Sequence, residues 1–227
     1  MQSFDLFSIG HSNIPAERFV GMLHSAGVNA VVDVRSTPAS RRFPGVSAKN
    51  LALRLQGDGI AYMPFGDSLG GRPHDPALYR DGVADYEKMA QQPEFCAGLE
   101  RVLQIARQHR ACLMCAEREP LDCHRCLLVA RAIAARGFMI GHILHDGAIE
   151  PHTATEQRLL ADSEPGDDLF VTGQSERLAA AYRRRCRAVA YRATAYSKGA
   201  TSATHDPERR SARFAKGRAL AKRQGAR

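Results

Sequence analysis

The 227-residue sequence has no apolar run approaching the roughly 18 residues a membrane helix needs, so no membrane span is expected. Its opening, Met1-Gln2-Ser3-Phe4-Asp5, lacks the basic stretch followed by an apolar one that marks a secretory leader, so no signal peptide is expected. Six cysteines are present, at 96, 112, 115, 123, 126 and 186. Four crowd between 112 and 126 and the others are scattered. That is not the framework of a small secreted domain, so free thiols in a reducing cytoplasm are expected. No internal repeat is visible, and neither is the Walker spacing of a phosphate-binding loop.

Charge of both signs is present but unevenly spread. The formal net charge is +8. Residues 175–227 hold 15 Lys/Arg against 3 Asp/Glu, while the rest holds 17 against 21. The chain therefore divides into a mildly acidic core over 1–174 and a strongly basic extension over 175–227, helical at first and partly disordered after Ser197. A basic tail of this kind is expected to bind nucleic acid weakly and without sequence preference.

Hydrophobic patterning fills in the core. Strands are predicted at Leu6–Ile9, Ala30–Val34, Ala61–Phe65, Ala111–Met114 and Met139–Leu144. Helices are predicted at 15–25, 47–56, 76–90, 93–108 and from Cys123 to Ala135, the last capped by Asp122 and stopped near Gly137. Alternation of strand and helix predicts a parallel, roughly five-stranded, Rossmann-like three-layer α/β fold.

The polar motifs follow the strands. Strand one leads to His11 and Ser12. Strand two leads to Asp33 and Arg35, then Ser40 and Arg41. Strand three leads to the Gly70-Gly71-Arg72 turn. Strand four leads to Cys115 and Glu117, then Cys123, His124 and Arg125. Open parallel sheets bind ligands beyond the carboxyl ends of their strands, so these residues are expected to meet in one pocket. Asp33 and Arg35 share a strand phase and can pair.

Cys123 at a helix N-terminus, beside a base and a cation, is the expected reactive thiol. Cys123, His124, Glu117 and His11 are the expected catalytic groups. Arg35, Ser40, Arg41, Gly70, Gly71, Arg125 and Cys115 are expected to hold substrate or anion. The pairs Cys112-x-x-Cys115 and Cys123-x-x-Cys126 invite a zinc reading. A strand, however, points residues 112 and 115 to opposite faces, so no metal is expected and the sequence names no cofactor.

The stretch Cys115–Arg125, with Ile9-Gly10-His11-Ser12, Asp33-Val34-Arg35, Ser40-Arg41 and Leu69-Gly70-Gly71, resembles the family called domain of unknown function 488, from about Leu6 to about Gly147. The resemblance implies a site and names no substrate. Two function classes remain open. One is a cysteine-dependent transferase or hydrolase acting on a small anionic or nucleotide-like substrate. The other is a non-catalytic module binding a nucleotide or nucleic acid through its arginines.

Overall fold

The computed structural model describes residues 3–39, 44–162 and 173–193. A compact unit runs from Met1 to Thr194. At its centre is a six-stranded sheet in the order β3-β2-β6-β1-β7-β8. These strands are β1 (Leu6–Gly10), β2 (Ala30–Asp33), β3 (Ala61–Pro64), β6 (Ala111–Cys115), β7 (Ile140–Ile143) and β8 (Ile149–Pro151). The first five are parallel to one another, as the alternation predicts. The sixth, β8, is the one the sequence reading missed, and it runs antiparallel to β7. It returns after the turn at Gly147, whose φ of 98° admits glycine most easily.

Apolar side chains cover both faces of the sheet. On one face α1 (Ala16–Ser25) and α2 (Ala48–Gly57) bring Phe19, Leu23, Leu51 and Leu55 onto Phe7, Ile9 and Cys112. On the other, α5 (Pro93–Gln108) brings Leu99 and Val102 onto Leu6, Val32 and Leu113. There they meet Leu127, Ile133 and Tyr182. Period-two alternation along β6 explains the division, because Cys112 and Met114 face one cluster while Leu113 and Cys115 face the other. Helix α1 ends as its sequence predicts. Gly27 takes a φ of 69°, and the Val28 N–H reaches back to the Leu23 carbonyl.

The single helix predicted over 76–90 does not form. A short 3₁₀ turn at Pro76–Leu78 leads into a two-strand hairpin, β4 (Tyr79–Arg80) and β5 (Val83–Ala84). The one-turn α4 (Tyr86–Met89) follows. Asp81 and Gly82 both sit at positive φ, 53° and 74°. Asp-Gly is the pair that a two-residue hairpin turn selects, and it outweighs the helical spacing around it.

The one-turn α3 (Gly66–Leu69) follows β3. Further on, the chain turns through π-type geometry over Arg125–Ala130 into α6 (Arg131–Ala134). Beyond β8 come α7 (His152–Ala161) and α8 (Gln174–Val189). Helix α8 opens the basic extension, yet it buries Ala181, Tyr182 and Cys186 in the main core cluster. The extension from 194 onward, with its predicted disorder, lies outside the described residues.

Candidate functional site

The carboxyl ends of β1, β2 and β6 meet where the strand order reverses direction. Two backbone bonds lock β1 to β6 beyond the sheet: His11 N–H to the Cys115 carbonyl and Ser12 N–H to the Ala116 carbonyl, each 2.9 Å. Ser12 takes a φ of 42° to make the turn. Gly10 is required here because the Glu117 carbonyl lies where a Cβ would stand. A cleft of about 670 Å³ opens above these ends. His11, Arg35, Gly71, Arg72, Tyr86, Cys115, Glu117, His124 and Tyr191 are among its walls.

Asp33, 1% exposed, is the anchor of one wall. Its Oδ1 accepts from the Arg35 backbone at 3.0 Å and from Arg35 Nε at 2.9 Å. Its Oδ2 accepts from Arg35 Nη2 and from the Tyr62 hydroxyl, both at 2.6 Å. The same-strand pairing anticipated for Asp33 and Arg35 is thus present. Arg35 Nη1 donates to the Val46 carbonyl at 2.8 Å and lies 3.2 Å from His11 Nε2. Burial holds the His11 imidazole pKa below its ordinary value, and the Arg35 charge adds to this. His11 is therefore a neutral ring, with Nε2 accepting from Arg35.

Four chemical groups converge at the opposite side, three on the wall itself and Cys123 buried beside them. Cys115 Sγ is 2.8 Å from Glu117 Oε2, and Cys123 Sγ is 3.0 Å from the same oxygen. His124 Nδ1 lies 3.7 Å from Cys115 Sγ and 3.9 Å from Cys123 Sγ. His124 Nε2 donates to the Val34 carbonyl at 2.8 Å, which fixes the ring so that Nδ1 faces the sulfurs. One donor atom from each of the four groups falls within 4.8 Å of the others, so the set has the reach to hold a borderline cation.

Helix start and charge divide the two thiols. The sequence places Asp122 at the cap and Cys123 in the first turn. In the structure Cys123 itself takes the cap position, with extended dihedrals, and its Sγ accepts the Arg125 N–H at 3.4 Å. Asp122 instead pairs with Arg185 of α8. Burial pushes both thiols up. For Cys123 the hydrogen bond from Cys115, the Arg125 charge and His124 outweigh burial and carry it well below an ordinary thiol. Cys115 stays raised by burial and by the neighbouring Cys123 charge. Of the two, Cys123 is therefore the thiol whose surroundings favour the negative charge. Burial and that charge also raise the Glu117 carboxyl.

Of the predicted residues, His11, Arg35, Gly71, Cys115, Glu117 and His124 line the cleft. Cys123 is 1% exposed, sits behind Cys115 and is not part of the wall. Gly70 packs on Gly66 and Ser36 outside this cleft. Arg125 is fully buried and does not reach the cleft. It donates through Nη1 to the Glu117 carbonyl at 2.6 Å and through Nη2 to the Arg118 carbonyl at 3.1 Å. It therefore braces the loop that carries Glu117. Ser40 and Arg41 lie outside the described residues.

Gly71 is needed for close approach, since an added Cβ would stand 2.6 Å from His124 Cγ. Its neighbour Gly70 has an ordinary φ of −69°. Sequence reasoning missed Tyr62, Tyr86, Ser36 and Tyr191. Ser36 accepts the Arg72 N–H at 3.0 Å, and the Arg72 guanidinium lies 4.8 Å from the centre of the Tyr191 ring. The Tyr62 hydroxyl alone had a readable signal, being the polar tip of a strand facing a buried aspartate.

Fold and site together define an α/β protein with a thiol-bearing cleft at its strand ends. The family model described as domain of unknown function DUF488 matches residues 15–132, and the chain belongs to that family. No curated protein matches it.

Proposed function

We propose that the protein is a cysteine-dependent enzyme, of transferase or hydrolase type, acting on a small anionic or nucleotide-like substrate in this cleft. The observation that carries the reading is the position of Cys115. Its sulfur stands at the wall of an arginine-bearing cleft, with Glu117, His124 and the Cys123 sulfur within 4.8 Å. Cys123 stores the negative charge and Cys115 presents the attacking sulfur, so the two thiols share the role assigned from sequence to Cys123 alone.

In the reaction, Cys115 bonds to the electrophilic atom while its proton passes to Cys123. The bond to the leaving group breaks, and Glu117, acting in its protonated form, gives that group its proton. Water or an acceptor then takes the bound moiety from sulfur. Its proton returns to Glu117, and the Cys123 proton returns to Cys115. Arg72 at the rim and the Asp33-anchored Arg35 favour an anion.

The switch point of the strand order supports the finer Rossmann-like reading of the sheet. Six free cysteines fit a cytoplasmic, reducing setting.

The test is native-state alkylation with iodoacetamide, read cysteine by cysteine by mass spectrometry, beside a turnover screen on phosphorylated and nucleotide substrates. Cys115 is expected to label before Cys112, and Cys123→Ser to slow it about tenfold by removing the proton acceptor. Turnover is expected to vanish in Cys115→Ala. Labelling of Cys115 as slow as that of Cys112, with no effect of Cys123→Ser, would sink the proposal. A non-catalytic nucleotide pocket is the second reading, favoured by the Arg72–Tyr191 stack at the rim. It predicts nucleotide binding that survives Cys115→Ala, without turnover in any form of the protein.

A further inference from the structure

A second convergence of donors lies inside the fold. Cys126 comes from the π-type turns after β6, His142 from β7 and His152 from the first position of α7. Their relative exposures are 0%, 0% and 4%. His142 Nε2 is 2.9 Å from His152 Nδ1 and 3.8 Å from Cys126 Sγ. One donor atom from each residue falls within 4.8 Å of the other two.

The outer nitrogens of both rings are engaged. His142 Nδ1 lies 2.6 Å from the hydroxyl of Ser8 on the adjacent strand. The Tyr182 hydroxyl donates to Glu156 at 2.9 Å and sits 3.2 Å from His152 Nε2. Having spent its proton on Glu156, that hydroxyl accepts from His152 Nε2–H. The inward nitrogen of His152 therefore carries a lone pair. It faces an inward nitrogen of His142 at a distance only a shared proton or a cation makes favourable.

We propose that Cys126, His142 and His152 bind a single thiophilic closed-shell cation, zinc or cuprous copper. A hydrogen-bonded relay of two imidazoles needs no sulfur, yet the Cys126 sulfur stands at the third corner. In a trigonal site with metal–nitrogen bonds of about 2.0 Å and a metal–sulfur bond of about 2.3 Å, nitrogen and sulfur lie about 3.7 Å apart. The observed Cys126–His142 separation is 3.8 Å. The two ring nitrogens would have to part by about 0.6 Å to reach the roughly 3.5 Å of such a site.

Outer-nitrogen partners that fix ring orientation are the usual support of metal-bound histidines. The donor set, one thiolate and two imidazoles, is the chemistry that selects zinc or copper over magnesium or calcium. Of the three donors His152 also lines a cleft of about 490 Å³, with Glu156 and Tyr182, which gives a cation its approach from that side. The site shares no residue with the Cys115 cleft and stands whether or not that cleft is catalytic.

The experiment uses the full chain carrying Cys115→Ser and Cys123→Ser, so that the cleft thiols cannot contribute. The protein is stripped with chelator. It is then titrated with zinc in one arm and, under anaerobic reducing conditions, with cuprous copper in the other, each against a chromophoric competitor. One equivalent per chain is expected in at least one arm, and the arms identify the ion. His142→Gln or His152→Gln, folded by circular dichroism, is expected to weaken it at least tenfold. X-ray absorption on the loaded protein is expected to show one sulfur and two imidazole nitrogens, a readout that needs no folded histidine variant. Absence of a tight equivalent in both arms overturns the proposal. So does a first shell without sulfur, or affinity unchanged in the histidine variants.

Discussion

Replacing Asp33 by Asn tests the anchor of the cleft. The carboxylate accepts two bonds from Arg35 on Oδ1 and, on Oδ2, bonds from Arg35 Nη2 and the Tyr62 hydroxyl. Both charged partners are almost wholly out of water, at 6% and 1% exposure. An Asn keeps one acceptor but turns an amide N–H toward the donors that faced the other oxygen. The guanidinium then remains buried without a counter-charge, held by one neutral amide oxygen, the Val46 carbonyl and His11. Removing one partner of a buried pair costs about 3–5 kcal/mol.

We expect about 3–4 kcal/mol here, because the retained acceptor saves part of the loss. In a unit of this size that is a fall in melting temperature of about 6–16 °C. Tyr62→Phe removes one hydroxyl bond to a charged acceptor at a half-buried site and should cost about 1–1.5 kcal/mol. The double variant should cost less than the sum by about 1 kcal/mol, since the hydroxyl has lost its charged acceptor once Asp33 is gone. Urea unfolding followed by circular dichroism measures all three. A loss under about 1 kcal/mol for Asp33→Asn would show the pair to be no better than a solvent-exposed one and would refute the anchoring role.

Gly71→Ala should destabilise by about 1–3 kcal/mol through overpacking against His124 and shift the His124 ring signals in NMR; ordinary stability with unmoved signals contradicts it. The His11 contribution to stability is present in full above the unfolded imidazole's roughly 6.5 and is lost as pH falls through its lower folded value. His11→Gln should therefore flatten that acid-side decline in urea midpoints, and an unchanged slope would refute it. Deleting residues 195–227 should weaken non-specific DNA binding and lower its salt dependence; fluorescence anisotropy at several salt concentrations checks this, and equal affinities exclude the tail as a docking arm.

Much of the arrangement was legible in the residues. The helix over Pro93–Gln108 has the bounds its pattern predicts. Helix α1 ends at the predicted residue, Ser25, and the motifs after β1, β2 and β6 meet at one edge. Periodicity carries that information because burial forces it. Arg125 was misread because nothing in a Cys-His-Arg string distinguishes a cation facing solvent from one turned inward onto two carbonyls. The acceptors that settle that choice are main-chain carbonyls at 117 and 118, invisible to side-chain reasoning. The hairpin at Asp81-Gly82 was readable, and the surrounding helical spacing obscured it. Cys126 with His142 and His152 was out of reach, since only the crossing of β7 and α7 over the helix start brings them together.

The sheet also bears on how copies of this chain behave when crowded. Its margins are β3 and β8, of four and three residues, and each finishes on a proline, Pro64 and Pro151. A proline offers no N–H to an incoming strand. Each border is therefore too short, and closed at one end, to template pairing with another polypeptide. The sheet therefore resists edge-to-edge aggregation at both margins.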